Sequence, residues 1–315
     1  MSQPIQTIFI GTPDFAIPAL QSLINNNNFD VVGVITQPDK KIGRKQILTP
    51  PPIKTEALKY DIPVHQPEKI RDLSLDIFSN IDLIVVVAYA QIIPKSILDL
   101  SKYGCINIHG SLLPKYRGAA CIQAAILNGD AETGITIMKM DEGLDTGPII
   151  HQEKVNIKAT DTAGSIFDKL SIVGGQILPS TLLKYISGEL QAKTQDNSKS
   201  SYVGMLKKSD GRINWNKPAI ELERFIRAMM PWPGATAIAN LKLQTANIKI
   251  ITTEHDVLEI NNYKPGTLFT NDGKLCVQCG RNALIIQQLQ PEGKKTLTDK
   301  EFLNGYQNLI GTVLE

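Results

Sequence analysis

The apolar run from Leu83 to Ala88, in the predicted strand from Ile81 to Ala88, limits the possible folds of this chain more than any other stretch. A strand that is apolar on both faces must be covered on both sides, which is typical of parallel sheets flanked by helices. An apolar run from Thr7 to Gly11, a helical pattern and a strand from Asp30 to Thr36 make a preceding βα unit. We therefore predict a mostly parallel α/β sheet. Gly11 is the only glycine of the first turn, so a GxGxxG dinucleotide site has little support.

A polar pair interrupts another buried strand, in the segment from Gly104 to Gly118. Asn107 and His109 are two residues apart, and side chains at positions i and i+2 of a strand point to the same face. Gly110 ends this strand, and ligands of open α/β sheets bind just beyond the carboxyl ends of the strands. The alternative is a core histidine satisfied by a neighbouring amide. The strand end and the loop that follows favour a functional site.

Two loops supply further candidates for this site. Ser111 ends the strand, and Leu112, Leu113 and Pro114 then form an apolar loop suited to packing on a flat aromatic ligand. Asp145 lies in a glycine-rich loop between two strands that are predicted to form a hairpin. A carboxylate held in a tight backbone suits a catalytic role, whereas a turn-forming aspartate is the plainer explanation.

A basic segment follows the second strand of the sheet. It contains Lys40, Lys41, Arg44 and Lys45, and prolines bracket it on both sides. Solvated surface explains most charge runs. A phosphate-contacting loop that is pliable at Gly43 is the sharper interpretation.

Composition narrows the class of protein. Hydrophobic residues make up 42% of the 315 residues and the net charge is only +2, which argues against disorder and against strong nonspecific nucleic-acid binding by the whole surface. Four cysteines are too few for a disulfide framework, and no signal peptide or membrane-length apolar run is evident, so we expect a cytoplasmic protein without a membrane role. Cys276 and Cys279 lack a partner pair, so we predict no zinc or other metal.

The polar stretch 190–207 is the best candidate for a linker. It separates a first domain, 1–189, from a second domain, 208–315, in which short strands at close spacing predict a small β-barrel. Within the first domain, a long helix through Ile166 and Ile186 is expected to be interrupted near Gly174, Gly175 and Pro179.

The motifs INIHGSLLPKYRGAA and MDEGLDTGP resemble those of the methionyl-tRNA formyltransferase family, and DGRINW, RAMMPWPGA and LQPEGKK resemble markers of its second domain. The resemblance covers essentially the whole chain. It implies a Rossmann-like α/β domain followed by a smaller, OB-like, tRNA-binding β-barrel. Cys121 and Ala124 stand where relatives usually have proline and arginine, so contacts of those two side chains do not transfer.

The resemblance also implies site residues and a reaction. The catalytic set becomes Asn107, His109 and Asp145; the folate-contacting loop becomes Ser111, Leu112, Leu113 and Pro114; and the tRNA-contacting loop contains Lys40, Lys41, Arg44 and Lys45. The implied cytoplasmic enzyme, expected to be a monomer, transfers a formyl group from 10-formyltetrahydrofolate to the α-amine of initiator methionyl-tRNA for translation initiation.

Two other functions stay open at this point. Another 10-formyltetrahydrofolate-dependent formyltransferase, acting on a sugar-nucleotide or purine-pathway amine, would share the Asn, His and Asp set. An RNA-binding protein with a vestigial α/β domain would not need all three catalytic residues. The second domain with tRNA-type markers argues against the first alternative, and the presence of all three polar residues argues against the second.

Overall fold

The computed structural model of the protein describes residues 3–43, 45–241 and 244–315. The chain divides into two compact units. The first contains Met1–Cys121, Glu132–Asn156 and Phe167–Val203, and the second contains Ile122–Ala131, Ile157–Ile166 and Gly204–Glu315. The polar stretch up to Val203 therefore belongs to the first unit, while the predicted division at 189 and 207 stays a prediction about function.

The first unit is built on a seven-stranded sheet that is mostly parallel. The strands of this unit, both inside and outside the sheet, are β1 (Ile5–Gly11), β2 (Phe29–Ile35), β3 (Lys40–Ile42), β4 (Ile47–Thr49), β5 (Val64–His65), β6 (Leu83–Val87), β7 (Cys105–His109), β8 (Arg117–Gly118), β9 (Glu132–Lys139), β10 (Ile149–Asn156) and β11 (Tyr202–Val203). The sheet order is β10-β9-β7-β6-β1-β2-β5, with β3-β4 and β8-β11 as separate pairs. Strands β5, β2, β1, β6 and β7 run parallel, and β9 and β10 form the predicted antiparallel hairpin. The predicted fold class is confirmed.

Helices lie between the strands of both units. The α-helices are α1 (Ile17–Ile24), α2 (Pro52–Leu58), α3 (Lys95–Leu98), α4 (Cys121–Leu127), α5 (Ala163–Ile186), α6 (Ala219–Ala228) and α7 (Asp299–Gly305). The 3₁₀ turns are Asp14–Ala16, Ile70–Asp72, Leu75–Phe78, Asn197–Lys199, Lys208–Gly211 and Gln307–Leu309. All five residues of β6 are buried, as the apolar run predicts for a strand at the centre of a covered sheet.

The long helix corrects one expectation. α5 runs without interruption from Ala163 to Ile186 and contains Pro179 in its interior. A Cβ at Gly175 would lie 2.6 Å from the backbone of Pro18, and one at Gly174 would press on Ile108 of β7. The glycine pair therefore permits close packing of the helix on the sheet and on α1, and this packing offsets the low helix propensity of glycine.

The basic segment also differs from the loop that was expected. β3 and β4 pair in an antiparallel arrangement, in which Lys40 lies opposite Thr49 and Ile42 lies opposite Ile47. The segment is therefore a short hairpin. At its base, Lys54 lies 2.9 Å from Asp39 in an ion pair.

The second unit is a closed antiparallel barrel. Its strands are β12 (Ala235–Leu241), β13 (Gln244–Thr253), β14 (Leu268–Asn271), β15 (Lys274–Gln278), β16 (Ala283–Pro291) and β17 (Leu297–Thr298), in the order β12-β13-β16-β15-β14, with β17 on β16. Residues 312–315 form backbone hydrogen bonds with both edges of this sheet. At the β14 edge, the N–H of Leu268 donates to Thr312 and the N–H of Leu314 donates to Gly266. At the β12 edge, Ile238 and Glu315 each donate to the carbonyl of the other. Because one segment bridges β12 and the start of β14, the sheet closes as the sequence predicts.

Candidate active site

Asn107 and His109 lie at the carboxyl end of β7 and are buried, with 9% and 7% of their surface exposed. Asn107 pairs with Val86 of β6 and Met138 of β9, which fixes the strand between two neighbours. Strand alternation turns Ile108 to the opposite face, where α5 packs. The polar pair therefore shares the face that α5 leaves open.

His109 is held through both ring nitrogens. Its Nε2 lies 2.9 Å from the carbonyl oxygen of Tyr116, and since a carbonyl only accepts, Nε2 carries a proton. Nδ1 lies 3.7 Å from Oδ2 of Asp145. Burial alone lowers the pKa of His109, but the sulfur of Cys121, the Asp145 carboxylate and the Tyr116 carbonyl outweigh it and raise the pKa to about 9. These contacts favour the protonated ring.

Asp145 occupies a backbone that few residues adopt, with φ of 53°. Its Oδ2 accepts the backbone N–H of Gly118 at 2.7 Å. A Cβ at Gly147 would overlap the carbonyl oxygen of Lys139, so the loop lies directly on the end of β9. The carboxylate is thereby held beside His109 rather than serving only to form a turn.

Asn107 has a different environment. Within the described ranges of the chain, its side-chain amide has no hydrogen-bond partner although the residue is buried. Its amide atoms are not among the fully enclosed polar atoms, so a bound ligand can reach them. Asn107 is therefore the group most available to a bound carbonyl oxygen.

The loop Ser111–Pro114 is fastened from β9 and β10. Thr136 accepts the N–H of Leu113 at 3.1 Å and donates to the carbonyl of Ser111 at 2.6 Å. Gln152 donates to the Leu113 carbonyl at 2.8 Å. Leu113 is itself buried at 3% exposure, whereas Leu112 and Pro114 keep part of their surface open for an apolar ligand.

The basic residues present a separate surface on the hairpin of β3 and β4. Lys40, Lys41 and Lys45 are exposed, and no ion pair involves them in the described part of the first unit. Arg44, the fourth residue of the predicted set, lies outside the described residues. Ile42, Ile47 and Leu48 are more than half exposed on the same hairpin.

Sequence reasoning missed three residues that support this site: Thr136, Gln152 and Gln195. Gln195 is buried in the stretch that was predicted as a linker, and it donates to the carbonyls of Asp145 and Gly147. Two backbone bonds between Lys193 and Ile149, both 2.8 Å, bring it there. No periodicity in the segment signals this, because the contact joins distant parts of the chain.

Gly118 is required by its surroundings, and its replacement gives a first test. Its φ is 101°, and a Cβ would overlap the carbonyl oxygen of Val203 in β11. Gly118→Ala is expected to lower the free energy of unfolding by more than the about 1–3 kcal/mol that backbone strain alone costs. Denaturant unfolding measures the loss. The same change should lower kcat, because Gly118 anchors Asp145.

Gly188→Ala is the matched control for this change. Gly188 also has a positive φ, 82°, but a Cβ there would have nothing within 4 Å. Gly188→Ala should lower the free energy of unfolding only by the backbone strain, because the new Cβ overlaps no other atom. Its kcat should be unchanged. Equal destabilisation by the two variants would contradict the packing argument.

Two family models match the chain. The formyl transferase model covers residues 5–182, and the formyl transferase C-terminal domain model covers residues 205–307. Methionyl-tRNA formyltransferases are similar over nearly full length: that of Lachnospira eligens is 44% identical over 98% of this chain and 99% of its own, and that of Bacillus subtilis is 41% identical over 98% and 96%.

Solved structures show the same fold at lower identity. WlaRD, a sugar 3N-formyl transferase described with dTDP and 5-N-formyl-THF, has a TM-score of 0.65 and 24% identity over 93% of this chain and 100% of its own. The Helicobacter canadensis N-formyltransferase, in complex with folinic acid and dTDP-3-aminofucose, has a TM-score of 0.64 and 20% identity over 90% and 98%. At this identity the likeness concerns the fold alone.

Proposed function

This chain belongs to the methionyl-tRNA formyltransferases, and from that premise we propose that it formylates the α-amine of methionyl-tRNA through Asn107, His109 and Asp145. The relatives named above are far more similar to it than the sugar formyltransferases are, which favours a tRNA substrate over a sugar nucleotide. The observation that carries the residue assignment is the meeting of buried His109, at the carboxyl end of β7 with Asn107, and the partly buried Asp145 of the loop after β9, which His109 Nδ1 faces at 3.7 Å.

The formyl donor in this proposal is 10-formyltetrahydrofolate. Formyl-THF and folinic acid appear with the two sugar formyltransferases above, and the loop Ser111–Pro114 offers this chain an apolar wall beside the trio. Leu112 and Pro114 would pack on the flat ring system. The amide of Asn107 would then meet the formyl oxygen.

The reaction balances with the protein's own groups. The amine attacks the formyl carbon, a C–N bond forms, and the carbonyl oxygen becomes an oxyanion. Asn107 donates an N–H to that oxygen, and the His109 cation stabilises its charge. The new ammonium passes one proton to the Asp145 carboxylate. When the bond to N10 of the folate breaks, N10 takes one proton from His109, and a proton crossing from Asp145 to Nδ1 restores the resting pair.

The raised pKa of His109 supports this order of events. A cation already present at neutral pH stabilises negative charge from the start of the attack, so His109 acts first as an acid and electrostatic group. The base for the amine must be another group, and the Asp145 carboxylate lies nearest to Nδ1 among the acids of the site. In each turnover, one proton must therefore pass from Asp145 to Nδ1 of His109.

The tRNA is proposed to reach the site across the hairpin of β3 and β4 and the barrel. This keeps the functional division into 1–189, 190–207 and 208–315. Lys40, Lys41, Lys45 and Arg44 would contact phosphates or the acceptor end. The cytoplasmic location, the monomeric state and the preference for initiator tRNA stay predictions. Among the described residues, none of the helices combines the length and apolar character of a membrane span.

Neutralising the hairpin tests this part of the proposal. A triple change of Lys40, Lys41 and Lys45 to glutamine should raise the KM for methionyl-tRNA. It should also reduce the salt dependence of binding by roughly one unit of slope for each phosphate that is no longer neutralised. Formylation of a minimal methionyl amine acceptor should keep its rate. Steady-state kinetics at several salt concentrations measure both.

A matched control removes three other exposed lysines of the first unit. Lys154, Lys184 and Lys199 each pair with a nearby acid, and their change to glutamine alters the net charge equally. This variant should leave the KM for methionyl-tRNA unchanged. If both triple variants lose affinity alike, the hairpin has no specific role.

A direct assay tests the function itself. The protein is incubated with 10-formyltetrahydrofolate and methionyl-tRNA, and formylmethionyl-tRNA is measured. An amino sugar nucleotide serves as the competing acceptor. Formylation of the sugar alone would overturn the proposed substrate.

A further inference from the structure

We propose that Gln195 is a positioning residue for formyl transfer, which fixes the backbone of the loop that carries Asp145. The inference rests on the proposed role of Asp145. Gln195 itself need not touch either substrate, because its contacts run to the protein on both sides of its amide. It therefore acts on the reaction through Asp145 and His109.

The nitrogen end of the Gln195 amide holds the loop. Nε2 donates to the carbonyl oxygen of Asp145 at 2.8 Å and to that of Gly147 at 2.7 Å. Both N–H groups of the amide are thereby used, on carbonyls two residues apart in the loop. Gln195 is 6% exposed, so no solvent competes strongly for these bonds.

The oxygen end of the amide is held by Arg117. Oε1 accepts from Nε at 3.1 Å and from Nη2 at 2.8 Å. Arg117 only donates and the loop carbonyls only accept, so the network itself decides which end of the amide is oxygen. Bonds from a charged donor are stronger than neutral ones, which makes this a firm anchor.

Arg117 is an unusual anchor because it is 2% exposed and, among the residues that the structure describes, meets no carboxylate. Its remaining donors go to Asn197 at 2.7 Å and to the hydroxyl of Tyr202 at 3.3 Å. Its charge is thus directed into neutral acceptors on the stretch that holds Gln195. Burying a guanidinium is costly unless its donors are satisfied, so the stretch that supplies these acceptors is held firmly against Arg117.

The contacts close a ring around Asp145. The neighbour of Arg117 in β8, Gly118, donates its N–H to the Asp145 carboxylate at 2.7 Å. The side chain of Asp145 is therefore fixed directly by Gly118 of β8. The backbone of Asp145 is fixed indirectly, because Arg117 of β8 holds Gln195, which in turn bonds to the Asp145 carbonyl. Without Gln195, the carboxylate would keep one anchor while the loop could shift beneath it. A displacement of about 1 Å at a catalytic group can lower a rate about 10²-fold.

The plainer role for Gln195 is structural, as a side chain that merely satisfies two buried carbonyls and an arginine. The two roles differ in what they do to His109. The groups that face the His109 ring are the Asp145 carboxylate, the Cys121 sulfur and the Tyr116 carbonyl. Of these three groups, Gln195 bonds directly only to the backbone of Asp145. A shifted loop therefore changes the titration of His109 in the folded protein, whereas a purely structural loss does not.

The test uses Gln195→Glu in the full-length protein. Glutamate keeps an acceptor for Arg117 but turns an oxygen instead of two N–H groups toward the loop carbonyls. We expect kcat with methionyl-tRNA to fall about 10²-fold with little change in KM. Gln195→Met, which has similar length and adds no charge, covers the case in which the glutamate variant fails to fold. In NMR titrations of the four histidines, the His109 pKa of this uncharged variant should move down toward 6.5.

Gln278→Glu is the matched control. Gln278 is 1% exposed in the second unit and donates to three carbonyls, those of Ile260, Cys279 and Asn282. It should lower the melting temperature without changing the His109 titration. A folded Gln195→Met variant with the wild-type His109 pKa would overturn the proposal whatever its kcat. The titration needs no turnover, so wild-type protein inactive on methionyl-tRNA would refute the proposed function while leaving this result readable.

Discussion

Replacing His109 with alanine is expected to lower kcat for formylation about 10²- to 10⁴-fold, the usual contribution of a positioned acid–base group. In the proposed mechanism, the change removes the cation that stabilises the developing oxyanion and the donor for the leaving nitrogen. Folate binding should change much less, because the loop Ser111–Pro114 is fastened by Thr136 and Gln152 rather than by His109. Single-turnover kinetics and equilibrium binding of folate separate the two effects.

Asp145→Asn should act on the same step. The asparagine oxygen can still accept the Gly118 N–H, so the loop keeps its anchor, while the charge that supports the His109 cation is lost. His151→Ala is a suitable control, because His151 lies in the same unit on β10, half-exposed and away from the trio. Parallel losses of folate affinity and turnover in the His109 and Asp145 variants would refute these roles.

The titration of His109 also gives the sign of a pH effect. Its pKa is raised from 6.5 to about 9 in the folded protein, so the protonated ring stabilises the fold. This contribution is fully present below about pH 6.5 and is lost as the pH rises through about 9. The free energy of unfolding of the wild type should therefore fall more steeply over this range than that of His109→Ala. Parallel curves would show that the ring is not preferentially protonated.

Asn107→Ala carries the second large effect, a loss of about 10²- to 10³-fold in kcat. The oxyanion is a far stronger acceptor than the formyl oxygen of the bound substrate, so the lost N–H matters most in the transition state. KM values for both substrates should stay close to wild type. Because the amide has no partner in the described chain, its removal breaks no bond of the resting protein and should leave stability nearly unchanged.

An isosteric variant sharpens this test. Asn107→Asp keeps the shape but replaces the donor with a negative charge beside the reacting oxygen. It should be less active than Asn107→Ala and should raise the pKa of His109 further. An aspartate variant more active than the alanine variant would exclude an oxyanion role for residue 107.

The sequence predicts the central part of this protein well because the signals there are local. The apolar run at β6 requires a covered sheet, and the two-residue spacing of Asn107 and His109 requires a shared face. The meeting of His109 with Asp145 came from the family resemblance, not from spacing. The family, the fold and the methionyl-tRNA formyltransferase function are confirmed, while the folate donor, the preference for initiator tRNA and the roles of the individual site residues stay proposals.

The failures have physical reasons. The sequence alone predicts a helix interruption at the glycine pair of α5, because it does not show the close contact of Gly175 with Pro18. Gln195 reads as part of a polar linker because its placement depends on the bridge between Lys193 and Ile149, which lie more than 40 residues apart in the chain. Tertiary contacts of this kind leave no periodic pattern in the residues that make them.

The closure of the barrel by residues 312–315 depends on contacts between distant parts of the chain. Ile238 pairs with Glu315, and Gly266 with Leu314, and contacts of such sequence separation are slow to form. Until this segment docks, both β12 and the start of β14 present unpaired backbone to solvent. Such open edges are templates for pairing with another chain. A barrel whose final segment is late or displaced is therefore the form of this protein most prone to self-association.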